Sequence, residues 1–148
     1  MIPDINDFTW QSLYEYIERK ISGAQNAIQM IKKGAHFSEL SQTTRVLEHQ
    51  IELLQWCIPL VKEIQTRESL QNICPIMSLE IIRLRCRRKN DGQVYSSDFA
   101  WVSPIADGRF NIRQIESQKS EDTQLFEGNL RQTVEKVEKL VKEIYIKE

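Results

Sequence analysis

Leu79-Glu80-Ile81-Ile82-Arg83-Leu84-Arg85-Cys86-Arg87-Arg88 and Gln93-Val94-Tyr95-Ser96-Ser97-Asp98-Phe99-Ala100-Trp101-Val102 are two alternating stretches separated by Asp91-Gly92. Alternation of apolar and polar residues is the period of a strand with one buried face. A two-residue Asp-Gly loop suits a type I′ hairpin turn, in which both central residues take positive φ. That loop length sets a register: Arg88 opposite Tyr95, Cys86 opposite Ser97, Leu84 opposite Phe99 and Ile82 opposite Trp101. Asp107-Gly108 repeats the signal before Arg109-Phe110-Asn111-Ile112-Arg113-Gln114-Ile115. As a second two-residue turn it pairs Ile105 with Phe110, Ser103 with Ile112 and Trp101 with Gln114.

The stretch therefore reads as a three-stranded antiparallel meander with strands near 79–89, 93–103 and 109–116. Its two faces differ in chemistry. One carries Ile82, Leu84, Cys86, Tyr95, Phe99, Trp101, Phe110 and Ile112. The other carries Arg83, Arg85, Arg87, Lys89, Arg109 and Arg113, with Asp98 as its acid and Val94, Ala100, Val102 and Ile115 interspersed. A one-residue slip would mix core and solvent residues on both faces, which disfavours it.

Helical periodicity flanks the meander. Trp10, Leu13, Tyr14, Ile17, Ile21, Ala24, Ile28 and Ile31 recur at steps of three and four and predict a helix over about 8–33, capped by Asp7 or Thr9 and closed by Gly34. Leu40, Thr44, Leu47, Ile51, Leu54, Ile58 and Val61 then form a heptad seam in a helix spanning about 38–72, with Ser38 as its cap candidate and a kink near Pro59. The short Gly34–Phe37 connection favours an antiparallel hairpin. A second apolar row, Val46, Leu53, Cys57, Leu60 and Ile64, makes this helix either central to the domain or part of an oligomer interface. For the latter, Leu47, Ile51, Leu54, Ile58 and Val61 are the candidate contacts. Pro75 marks the change from helix to sheet. After the polar 117–122 linker, a final helix over about 123–147 places Phe126, Leu130, Val134, Val137, Val141 and Ile144 on one side. Gly128 weakens its early turns. The expected fold is a single α+β domain in the order α-α-β-β-β-α.

At 148 residues the chain suffices for one continuous core. No apolar run approaches the roughly 18 residues of a membrane span, and the acidic start lacks the basic and apolar regions of a signal peptide, so a cytoplasmic location is expected. Cys57, Cys74 and Cys86 are odd in number and lack C-x-x-C spacing, which fits reduced, buried thiols. Charge is segregated: residues 81–113 hold seven Lys/Arg against three Asp, and the rest of the chain thirteen against eighteen Asp/Glu.

Signatures of catalysis are missing. There is no phosphate-cradling glycine loop, no nucleophile elbow and no H-E-x-x-H. Glu48 and Glu52 share a helix face beside His49, but no second carboxylate-histidine pair completes a di-metal site, and His36 lies in the helix connection. The sequence thus predicts a non-enzymatic protein without cofactor or metal. Its expected role is interaction: an adaptor, regulatory or assembly protein whose partner is another protein or a second copy. It would act through the basic sheet face and the helical seam. Nucleic-acid binding through the basic face is the alternative; the predicted burial of the aromatics argues against it.

Overall fold

The computed structural model describes residues 8–34, 39–89, 91–114 and 125–147. Two helices come first, α1 (Trp10–Gly34) and α2 (Glu39–Gln65). An antiparallel sheet follows, with β1 (Ile73–Ser78), β2 (Ile81–Cys86), β3 (Ala100–Pro104), β4 (Arg109–Gln114) and β5 (Leu125–Asn129), and α3 (Leu130–Lys147) closes the chain. The α+β class, the two leading helices and the final helix agree with the sequence. The strand number does not: the sheet has five strands in the spatial order β1-β2-β3-β4-β5, where the alternation announced three.

Both extra strands lie in stretches that the sequence gives to helix or its margin. The second helix ends at Gln65, before the expected 72. Its last turn tightens through Thr66 N–H to Glu63 O and Arg67 N–H to Ile64 O. The Gln71 side-chain amide then donates to Gln65 O, as the open acceptors of a helix end require, and adds second bonds to the Ile64 and Arg67 carbonyls, which already accept from Arg67 and Leu70 N–H. This frees Ile73–Ser78 to pair with β2. The helix runs through Pro59 without a break. At the other end, Leu125–Asn129 is strand, and the helix starts only at Leu130, where Asn129 and Gln132 cap each other: Gln132 N–H donates to Asn129 Oδ1, and Asn129 N–H to Gln132 Oε1, both at 2.9 Å. At the start of α1, Thr9 and Ser12 form a similar reciprocal pair. The cap candidates Asp7 and Ser38, the helix connection with His36, and Ile115 lie outside the described residues.

The core lies between the helices and one face of the sheet. Trp10, Leu13, Ile17 and Ile21 of α1 meet Leu54, Cys57, Leu60, Val61 and Ile64 of α2, the valines and Leu140 of α3, and Ile73, Ile82, Leu84, Phe110 and Ile112 of the sheet. From Ile51 onward the heptad seam is therefore internal: Leu54 and Val61 are fully buried, and Ile51 and Ile58 pack against the core.

The register of β3 corrects the sequence reading. At Asp107-Gly108 both residues take positive φ, 58° and 72°, as the two-residue turn requires. Arg109 N–H donates to Ala106 O, but Arg109 O also accepts from Ile105 N–H, so Ile105 and Ala106 both oppose Arg109 in a bulge. Pro104 thus pairs with Phe110, Val102 with Ile112 and Trp101 with Arg113.

The β2–β3 connection departs further. Of the Asp91-Gly92 pair only Gly92 has positive φ, and Arg88 N–H bonds Gln93 O, so four residues rather than two close the loop. Cys86 O then accepts from Tyr95 N–H and Leu84 O from Phe99 N–H, two residues of advance on one side against four on the other. Beyond this bulge Ile82 pairs with Val102, Arg83 with Trp101 and Leu84 with Ala100. The two departures shift both of β3's pairings by one residue, so β2 and β4 keep their expected faces while β3 is turned over.

A cationic sheet face built around Asp98

Directly paired residues of an antiparallel sheet project from the same face. Because β3 is turned over, Ala100, Val102 and Pro104 point into the core and Trp101 and Ser103 point outward. Val102 and Ala100 are buried, so they do not belong to the basic face on which the sequence placed them. Trp101 leaves the core and takes their place. One transverse row then reads Ile76, Arg83, Trp101, Arg113 across β1 to β4. No described helix covers this outer face; α1, α2 and α3 supply the core on the other side.

Asp98 holds the face together. The β2–β3 bulge carries its carboxylate to the outer side of the sheet, where its side chain is only 5% exposed. Oδ1 accepts from Arg85 Nε, and Oδ2 accepts from both Arg83 Nε and Trp101 Nε1, each at 2.7 Å. Burial alone would raise the Asp98 pKa. The hydrogen bonds from Arg85, Trp101 and Arg83, with the positive charge of Arg83, outweigh it and hold the carboxyl below its usual value. One acid thus fixes two guanidinium groups and an indole in set positions.

The remaining predicted site residues are spread around this centre. Arg113 is exposed beside Trp101, and Arg109 lies 3.6 Å from Glu127 of β5. Arg87 pairs with Val94 in an isolated bridge, and both are half-buried. Lys89 sits at the rim with its ammonium 4.5 Å from the Tyr145 ring centroid, a cation–π contact with α3. The helical candidates belong elsewhere: Leu54 and Val61 are core residues, Ile51 and Ile58 pack against the core, and Leu47 is half-buried. Glu48, His49 and Glu52 are exposed on α2, and the described residues contain no group of three metal-ligating side chains. No described helix is long and apolar enough to cross a membrane.

Trp101 is the site residue that alternation hides, whereas Asp98 lies on the basic face where the sequence placed it, paired with Arg85. A local signal does exist. An acid three residues before a tryptophan, on a strand opposite Arg-x-Arg, gives a buried carboxylate its donors and the indole N–H its acceptor. Comparison with known proteins finds no match: no family model, no curated protein and no solved structure corresponds to this chain.

Proposed function

We propose that this protein is a non-enzymatic interaction module, an adaptor or assembly protein, whose outer sheet face docks an acidic surface of a protein partner. The observation that carries the reading is Trp101 held between Arg83 and Arg113 and fixed by Asp98. Tryptophan and arginine dominate the energetics of protein interfaces, and side chains fixed before binding lose little entropy on association. Ile76 extends the same row with apolar surface. Arg83, Arg85, Arg109 and Arg113 stand against Asp98 and Glu127, a surplus of two positive charges (four minus two) that selects an acidic partner.

A photo-crosslinking residue at Ser103 on the outer face, compared with one at Glu143 on α3, tests this in extract of the source cells. The expected result is a discrete adduct from Ser103 that is lost with Trp101→Ala and with Arg113→Glu. Adducts of equal yield from Glu143, or a Ser103 adduct insensitive to both substitutions, would overturn it.

Single-stranded nucleic acid is the second reading, because Trp101 now stands on the basic face, where such ligands stack. Against it, only one aromatic side chain occupies that face among the described strands, and Asp98 and Glu127 oppose phosphate. Anisotropy of labelled oligonucleotides at low and physiological salt decides. Tight binding that weakens steeply with salt, as counterion release requires, would favour nucleic acid over a protein partner.

A further inference from the structure

Asp98 satisfies only one edge of each arginine it binds. Arg83 and Arg85 both donate through Nε, and among the described residues neither makes a hydrogen bond through its Nη groups. Both side chains keep some exposure, 33% and 20%, while the carboxylate beneath them has almost none. Two guanidinium groups share one acid, so the cluster carries a net charge of +1. The Asp98 anchor also removes much of the entropy that free arginines would lose on binding a ligand.

We propose that the Arg83–Asp98–Arg85 cluster is a carboxylate-binding subsite. It receives one Asp or Glu side chain of the protein partner on the free Nη groups, with an adjacent apolar side chain of that partner on Trp101. The inference rests on the outer face being the docking surface, and it adds the chemistry of the anchor. Guanidinium groups bind carboxylates through paired N–H···O bonds, and a monoanion matches the surplus charge. A phosphomonoester carries about −1.5 to −2 at neutral pH. It would overcompensate the pair and set its second charge near Asp98.

The indole N–H of Trp101 is a built-in reporter, since it shares Asp98 Oδ2 with Arg83. NMR titration of the isotopically labelled protein at constant ionic strength would follow this proton and the two arginine Nε–H signals. The probes are three capped tripeptides: acetyl-Leu-Glu-Leu-amide, its Gln analogue and its phosphoserine analogue. The expected result is saturable movement of all three signals with the Glu peptide at millimolar concentration, at least tenfold weaker binding of the Gln peptide, and loss of the response in Arg85→Gln. The comparison of peptides is made on the wild-type protein, so it stands even if the variant folds poorly. Equal binding of the Glu and Gln peptides, or no saturable movement, would overturn the subsite. Tighter binding of the phosphoserine peptide would overturn the choice of carboxylate. If the Ser103 adduct stays sensitive to Trp101→Ala while the Glu and Gln peptides bind alike, the docking surface stands and the carboxylate anchor falls.

Discussion

Replacing Asp98 with asparagine keeps the volume of the side chain and removes its charge, which isolates the role of the carboxylate. Three donors converge on Asp98 at 2.7 Å, two of them charged. An amide offers them one oxygen and points its own N–H groups at a donor. Hydrogen bonds to charged groups contribute about 1.5–3 kcal/mol each, and asparagine loses the charge from all of them and the acceptor from at least one. Arg83 and Arg85 are partly exposed and can rehydrate, so the loss belongs at the low end, about 2 kcal/mol, well short of the 3–5 kcal/mol for breaking a fully buried pair. For a chain of this length that corresponds to about 4–8 °C in Tm. Urea unfolding at neutral pH measures the loss directly, and an unchanged m-value would show that the compactness of both states is preserved. The pH dependence adds a second check. The folded-state pKa of Asp98 lies below the unfolded value of 3.8. Its stabilisation is therefore complete above 3.8 and disappears as pH falls through the folded value. The wild type should converge on Asp98→Asn in acid. A neutral-pH difference below about 0.5 kcal/mol, or one that stays constant into acid, would refute the account of the cluster.

Two glycines at nearly the same φ separate backbone strain from packing. Gly92→Ala has open space around the new Cβ and should cost about 1 kcal/mol from positive φ alone, whereas Gly108→Ala also meets the Trp56 ring at 3.2 Å and should cost about 1–3 kcal/mol more; equal losses in urea unfolding would contradict this. Burial, with the negative charge of Glu80 added, pushes the Cys57 thiol up to about 12. Because this folded value lies above the ordinary 9.0, its contribution to stability should fall as pH rises through 9.0, and iodoacetamide at pH 8 should label Cys57 only at the rate of unfolding, as mass spectrometry of timed samples would show. Trp10 is 3% exposed and donates its Nε1 hydrogen to Leu70 O at 2.8 Å. Trp10→Phe leaves that buried carbonyl without its donor and should lower stability by about 1–3 kcal/mol, a loss that calorimetry would register.

Sequence patterns located the elements whose burial follows one period. The helix stripes are legible because three-and-four spacing places Ile17, Leu54, Val61, Val134 and Val137 in the core. The inner faces of β2 and β4 are legible because Ile82-Leu84-Cys86 alternate with arginine and Phe110-Ile112 with Arg109, Asn111 and Arg113. Neither edge strand has that pattern. In β1 the first three residues, Ile73-Cys74-Pro75, are all buried, so apolar residues do not alternate, and Pro75 reads as a boundary. There, however, it stands on an edge strand, where a missing N–H is tolerated and discourages further pairing. In β5 the strand is five residues long and contains Gly128.

The register of β3 escaped for a different reason. Alternation cannot detect a bulge, and here there are two. Their effects cancel for β2 and β4 and survive only in β3, where they exchange Trp101 for Val102. Side-chain chemistry chooses between the alternatives where hydrophobicity misleads. With Trp101 inside, its indole N–H would need a buried acceptor, and an unmet one costs about 1–3 kcal/mol. With Trp101 outside, the same N–H meets Asp98, and that carboxylate also neutralises one of two neighbouring arginines that would otherwise repel across the face. The small side chains of Ala100 and Val102 fill the inner layer in its place. The polar demand of the outer face, more than the apolar demand of the core, thus selects the register of the central strand. The same selection fixes the arrangement of side chains on which the proposed docking surface depends.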